Sequence, residues 1–388
     1  MKNGKIFRKA ISDGKIYFHA LMITILTFGS LFFLKLMSFV FFDPLSKIVG
    51  FEMTDIYSYV ISQREQPRSS EKIALLTLDG VGDRSDIARI LRQVDVCHPK
   101  VVGLDVLFTY PLSPESDSLL LHTVNSMENI VLPCILSGRG EEGYRTKESV
   151  FFLDNVVRPR EGFVNFAGNN LGVVRRFVPS LKYKEEGGVT KPVYSFPAHL
   201  LKVYDERLFL HNQDRGNEEP QLINFYPLMF DTIHWDDIKG NADLIKDRIV
   251  IMGYGSLKED MHYTSSEDEM PGMKIHAYVL ATMLDERYIR EVDSWWSKLL
   301  GFFICYLFSL GCLFFLRKVN SGAGFFIRLV QTFFILSCLW AGYIVFLKWD
   351  INIYLIRLLL ALGFTSFFAD IYCGLWYWGS KLINKIRQ

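Results

Sequence analysis

Three aspartates stand at or beyond the ends of apolar runs: Asp79 after IALLTL, Asp105 after KVVGL, and Asp260 in the loop after RIVIMGYGS. Short apolar runs bounded by turn residues read as buried strands. In open α/β sheets, ligands collect at the carboxyl ends of parallel strands, where helix N-termini direct their N–H groups. Gathered in one cleft, the three carboxylates would hold a divalent cation through oxygen ligands, or accept hydrogen bonds from a hydroxylated or cationic small molecule. Dispersed, they would cap helices and bind loop amides. The turn Gly253-Tyr254-Gly255-Ser256 lets backbone approach a ligand and is a weak anion-site signal. It lacks the third glycine of a dinucleotide fingerprint and the lysine of a P-loop. His276 shares a helical register with Val279, Leu280 and Met283, which directs its ring toward the sheet near the start of a helix. A helix N-terminus disfavours imidazolium, so a neutral buried histidine bonded to a loop carbonyl is the plain expectation. Asn165 precedes Arg175 and Arg176; neighbours on a strand point to opposite faces, so at most one of these arginines enters a shared cleft.

Catalysis finds little support. Asp79 is followed by Gly80-Val81 rather than a second aspartate, and no serine or cysteine nucleophile has an evident base. The chain therefore does not read as an enzyme. Metal-assisted hydrolysis by the carboxylates is the catalytic alternative.

The elements that must position these residues start at Ile73. IALLTL is an apolar strand, SDIARILRQV places Ile87, Ile90, Leu91 and Val94 at helical spacing, and KVVGL is a second strand, together a parallel βαβ unit. The pattern repeats with Ser116 as N-cap, then Leu120, Val124 and Met127, then the strand NIVLPCIL, whose Pro133 argues for an edge or a bulge. Residues 64–72 read as a polar linker and 139–160 as an exposed excursion. GFVNF and GVVRRFVPSLKY suggest antiparallel pairing, SFPAHLLKVY a helix, and the domain closes with the strand RIVIMGYGS and the helix MKIHAYVLATMLDERY. A short helix is expected within 47–63, after a turn at Asp43-Pro44. The expected fold class is α/β, a three-layer domain with a largely parallel central sheet over 43–294, plus four transmembrane α-helices.

Those four spans are 17–42, 298–316, 329–347 and 353–373, each long enough for a hydrocarbon core of ~30 Å. Lys2, Lys5, Arg8, Lys9 and Lys15 precede the first; Arg317, Lys318 and Arg328 separate the second from the third; Lys381, Lys385 and Arg387 close the chain. The positive-inside rule then places 1–16 and 374–388 in the cytoplasm and the α/β domain outside. Trp295, Trp296, Trp349, Trp376 and Trp378 suit interfacial belts, and Lys35 and Arg357 suit snorkelling to outer headgroups. A net charge of +1 and a hydrophobic content of 50% exclude the basic surface of a nucleic-acid binder. Cys97 and Cys134 face the oxidising side; their spacing resembles no disulfide framework, and a bond between them is left open.

Taken together, the motifs resemble the CHASE2 domain family, an extracytoplasmic sensory module of bacterial signalling proteins. The resemblance rests on Asp79, Arg84, Gly103-Leu104-Asp105, Asp117, Gly162 to Asn165, Gly172 to Arg176, RIVIMGYGS, Asp260, Pro271-Gly272 and His276-Ala277. Gly82-Asp83 stands where family members often carry a tryptophan-rich stretch. The resemblance implies a multi-pass protein of the bacterial inner (cytoplasmic) membrane, both termini cytoplasmic, that binds an unknown small-molecule ligand. Its site residues would be drawn from Asp79, Arg84, Asp105, Asn165, Arg175, Arg176, Gly253, Gly255, Asp260 and His276, with Asp79, Asp105 and Asp260 as the ligands of any divalent cation. Cytoplasmic pieces of about 16, 12 and 15 residues are too short for a catalytic output domain. The implied partner is therefore a separate membrane-embedded or cytoplasmic signalling protein, with homo- or hetero-oligomers formed through the spans. A non-catalytic structural subunit of an envelope complex is the alternative.

Overall fold

The computed structural model describes residues 15–41, 52–64, 66–140, 143–168, 172–185, 188–213, 219–292, 294–318, 323–353 and 355–386. The expected turn at Asp43-Pro44, residues 1–14, the first part of the expected 47–63 helix, and the side chains of Lys35, Arg317, Lys318, Arg357, Lys381, Lys385 and Arg387 lie outside that description. Two compact units result: Ser58–Ile289, and the described parts of Met1–Tyr57 with Arg290–Gln388.

Helices run in the order α1 (Ile16–Phe41), α2 (Met53–Arg64), α3 (Arg84–Val96), α4 (Pro114–Ser126), α5 (Phe196–Tyr204) and α6 (Glu206–Gln213). They continue as α7 (Ala242–Ile245), α8 (Gly272–Leu284), α9 (Ser294–Lys318), α10 (Ala323–Trp349) and α11 (Leu355–Ile386). The strands are β1 (Arg68–Thr77), β2 (Val101–Leu104), β3 (Ile130–Gly140), β4 (Gly143–Ser149), β5 (Glu161–Phe163), β6 (Ala167–Gly168), β7 (Val173–Phe177), β8 (Ser180–Lys184) and β9 (Thr190–Tyr194). After them come β10 (Gln221–Leu222), β11 (Leu228–His234), β12 (Ile249–Gly253), β13 (Met261–Thr264), β14 (Met270–Pro271), β15 (Arg290–Glu291) and β16 (Ile351–Asn352).

The main sheet has nine strands in the order β11-β1-β12-β2-β3-β4-β8-β9, with β5 added beside β3. Its first five strands are mutually parallel. Side chains alternate across a strand, and both alternations are apolar here. Leu76, Val102, Leu104, Val250 and Met252 pack with α3 and α4 on one face. Ile73, Leu75, Val101, Ile249 and Ile251 pack with α5 and α8 on the other. That is the expected three-layer α/β arrangement, and it explains why these strands read as continuous apolar runs. β7, β10, β13, β14 and β6 form a second, five-stranded sheet.

Several sequence expectations need correction. The polar stretch expected as a linker over 64–72 enters β1 from Arg68, because Arg68 and Ser69 pair with Leu228 and Met229 before a register shift. Ser113, not Ser116, holds the N-cap of α4, with Pro114 supplying the fixed φ of a first helical residue. β3 is internal rather than an edge. Its Pro133 is tolerated because pairing with β2 ends at Val131 and pairing with β4 starts at Cys134, so the missing N–H falls in the changeover. The expected excursion folds in part into β4, anchored where Lys147 and Ser149 reach Glu161. β5 pairs with β3 in parallel, not antiparallel, whereas β7 and β8 do find antiparallel partners, in β10 and β9. Cys97 and Cys134 are both free thiols.

Among the described residues of the flanking unit, three helices are long and apolar enough to cross a membrane: Trp295–Phe315, Gly324–Trp349 and Leu358–Trp376. The apolar stretch described in α1 covers Ile16–Phe32, shorter than a span, although the helix itself has 26 residues. Buried Gln331 on α10 donates through Nε2 to the carbonyls of Leu362 and, at 3.0 Å, Gly363 on α11.

Two glycines set how closely α5 approaches the sheet. A Cβ on Gly103 would lie 2.7 Å from Phe196 Cζ, and one on Gly162 would lie 2.5 Å from Phe196 Cα. A backbone neighbour cannot rotate away as a side chain can. Gly162→Ala is therefore expected to cost about 1–3 kcal/mol through overpacking. Gly82→Ala, with open space around it, should be near neutral. Thermal unfolding of the two variants by near-ultraviolet circular dichroism checks the contrast.

Candidate functional site

The strand order β1-β12-β2 places the ends carrying Asp79, Gly253 and Asp105 side by side. Asp79 is already engaged: its Oδ1 accepts from the N–H groups of Gly255 at 3.0 Å and Ser256 at 3.1 Å. Its own N–H donates to Thr77 Oγ1 at 3.2 Å, and its carbonyl accepts from Trp235 Nε1 at 2.9 Å. Burial opposes its ionisation, but hydrogen bonds from Thr77, Ser256 and Gly255 outweigh that and hold its pKa below the usual carboxylate value. The anion served by the glycine turn is thus a carboxylate of the same chain. Tyr254 adds a bond from its hydroxyl to the Val81 carbonyl at 3.0 Å, so Asp79 and this turn tie the loops after β1 and β12 together.

Asp105, Asp260 and His276 do come together. The Asp105 N–H donates to the Met252 carbonyl at 2.7 Å, and its side chain is only 12% exposed. Burial, followed by the nearby charge of Asp260, pushes its pKa up to about 8. His276 lies on α8 with its Nε2 3.8 Å from Asp105 Oδ2. Its ring stacks on Phe166 at 4.6 Å and meets Phe196 edge-on at 5.3 Å. Burial and then His262 lower its pKa to about 3. Near neutrality the pair is accordingly a carboxylic acid beside a neutral imidazole, rather than an ion pair. The neutral histidine was expected, but the loop carbonyl was not found: Nδ1 is buried without a hydrogen-bond partner.

Asp260 ends a turn of 3₁₀ helix, and its carboxylate rests against the first residue of α8. A Cβ on Gly272 would lie 2.5 Å from Asp260 Oδ1, so only glycine admits the carboxylate there. The helix dipole favours a negative charge at that end. His262 Nε2 stands 3.6 Å from Asp260 Oδ1, and its ring meets Phe166 edge-on at 4.9 Å. Gly253 performs a similar service below: its Cβ would sit 3.2 Å from Met273 Cβ and 3.4 Å from Asp105 Cβ. The cluster is thus a partly desolvated donor and acceptor set, able to bind a hydroxylated or cationic group or to exchange a proton.

The other candidates lie elsewhere or serve the fold. Arg84 is buried, donating to Asp117 Oδ1 at 2.5 Å and to the Tyr110 carbonyl at 2.6 Å, with Phe108 and Phe151 about its guanidinium. Asn165 bonds both ways with the Leu136 backbone, at 2.8 Å and 2.9 Å, extending the ladder beyond β5. Arg175 is buried and Arg176 half-buried on β7, in the second sheet. Among the described residues no three His, Cys, Asp or Glu side chains group as a metal ion needs, the set Asp79, Asp105 and Asp260 included. Sequence reasoning missed Phe166 and His262. The available signals were GFVNF and the spacing of His262 two residues after Asp260 on an alternating strand.

An α/β domain with a polar cluster at its parallel strand ends, followed in the chain by apolar helices, fits the class of extracytoplasmic sensory domains. Residues 23–312 match the family model of the CHASE2 domain, and the chain belongs to that family. No curated protein and no solved structure matches it.

The titration of this cluster is measurable. Between about pH 7 and 8, His276 is mostly neutral whether folded or unfolded, while Asp105 keeps its proton only when folded. The folded state then binds one proton more, so stability falls as pH rises, at roughly 1 kcal/mol per pH unit. Below about pH 6.5 the unfolded His276 takes up a proton that the folded form refuses, which offsets the Asp105 effect. Asp105→Asn should flatten the pH 7–8 decline in Tm relative to wild type; parallel curves would contradict the assignment.

Proposed function

We propose that this chain is a membrane-anchored sensory module of the bacterial inner membrane, with its α/β domain outside the cytoplasm and both termini inside. A small hydroxylated or cationic ligand at Asp105, Asp260 and His276 shifts α8, and a separate signalling partner reads the change through the helices that follow. The observation that carries this reading is the extent of the family match, which starts within α1, takes in the whole α/β domain and ends within α9. Supporting the anchoring, Phe303, Leu307, Phe333, Leu336, Trp340 and Phe367 are apolar side chains exposed on the C-terminal helices, as a hydrocarbon solvent permits. Sensing also needs a site not wholly consumed by the fold. The buried, unbonded Nδ1 of His276 meets that condition.

A second reading, a structural subunit of an envelope complex, draws on Asp79, Arg84 and Asn165, whose polar groups are taken up by the chain's own partners. Affinity isolation of the intact chain from its own membranes, as wild type and as Asp105→Asn/Asp260→Asn, separates the two. The sensory reading expects a co-purifying kinase, cyclase or regulator whose activity differs between the samples. A transport or assembly complex recovered equally with both would overturn it in favour of the structural one.

A further inference from the structure

A cavity of about 310 Å³ opens beside the edge strand β11, between that strand and α8, away from the strand-end cluster. Its volume falls at the low end of the ~300–1,000 Å³ typical of small-molecule sites. The interior is aromatic. Phe225 and Phe230 present their rings to Tyr278 at 5.2 Å and 5.0 Å, inclined by 60° and 82°, with Tyr226 completing the wall. The polar groups of that wall are taken: the Tyr278 hydroxyl donates to the Leu228 carbonyl at 3.1 Å, and the Tyr226 hydroxyl donates to Asp285 at 2.6 Å. The charged groups of the lining stand at one place, where Lys274 Nζ meets both oxygens of Glu267 at 2.7 Å and 2.9 Å. These side chains are 29% and 41% exposed, so the pair stands toward solvent while the rings lie deeper.

From this arrangement we infer that the cavity binds a neutral, hydroxylated aromatic molecule, its ring among Phe225, Phe230 and Tyr278 and its hydroxyl on the Lys274–Glu267 pair. The closed pair decides the charge of the guest. A carboxylate would have to displace Glu267 from Lys274, and an ammonium would have to displace Lys274 from Glu267, each leaving one charge without its partner. A hydroxyl displaces neither: it accepts from the third N–H of the ammonium and donates to a free carboxylate lone pair. Ring guests suit the walls because aromatic pairs gain most in edge-to-face and offset geometries. This site does not depend on the strand-end reading, although Lys274 and His276 stand on the same helix, α8.

The test uses the intact chain in nanodiscs, with empty nanodiscs as background. Saturable binding of 4-methylphenol, toluene, 4-methylbenzoate and 4-methylbenzylamine is followed by saturation-transfer NMR. The expected order puts 4-methylphenol ahead of each of the others by roughly five- to tenfold, the worth of one hydrogen-bonded group. Thr232→Trp, which fills the cavity, should abolish this binding at an unchanged Tm. Lys274→Met should erase the preference for the phenol over toluene, and Asp105→Asn should leave binding intact. No saturable binding above empty nanodiscs, equal binding by folded Thr232→Trp, or an equal or better charged analogue would overturn the proposal. Loss of binding in Asp105→Asn would overturn it too, by moving the signal to the strand-end cluster.

Discussion

The central sheet is covered on both faces, and that double burial governs where polar chemistry can stand. Strands β1, β2 and β12 offer apolar side chains to both layers, so a carboxylate within them would lose its water without a partner. The polar residues gather at the strand ends instead. Adjacent ends then bring like charges together, and each aspartate meets the problem differently. Asp79 takes the amides of Gly255 and Ser256, Asp260 settles at the start of α8, and Asp105 keeps its proton.

The glycines of this region follow from the same crowding. Gly253 makes room for Met273 and Asp105, Gly272 for the Asp260 carboxylate, and Gly162 for the α5 backbone. α8 is the element on which these contacts converge. Its first turns carry Gly272, Met273 and His276, its next turn carries Tyr278 of the aromatic cavity, and the chain runs on from it through Arg290 into α9. A ligand moves such an element only if it binds two of its positions with different affinity. A desolvated acid beside a neutral imidazole gives a ligand bearing charge or donors a means of making that distinction.

Much of this architecture was legible because its signals are local. IALLTL, KVVGL and RIVIMGYGS announce buried parallel strands by being apolar on both alternations, and Ile87, Ile90, Leu91 and Val94 announce α3 by their spacing. The strand-end placement of Asp79, Asp105 and Asp260 followed directly. What each aspartate does there was not legible, because it depends on non-local partners: Ser256 for Asp79, Asp260 for Asp105, and Phe166 for His276. The partners of Arg84 and Asn165 were not legible for the same reason, since Asp117 and the Leu136 backbone lie far along the chain. β11 and the cavity beside it carried no motif at all. Its residues alternate around Asp231 and Thr232, and only pairing with β1 shows them to be the sheet edge.

Because Asp105 Oδ2 lies 3.8 Å from His276 Nε2 on α8, loss of its proton would leave a buried charge against the first turns of that helix and loosen their seating. Hydrogen exchange of the Gly272–Leu284 segment, followed by mass spectrometry at pH 6.5 and pH 8 and corrected for intrinsic rates, tests it most directly. The account predicts weaker protection of the first turns of α8 at the higher pH in wild type, and no such change in Asp105→Asn. Equal protection at both pH values in both proteins would contradict it.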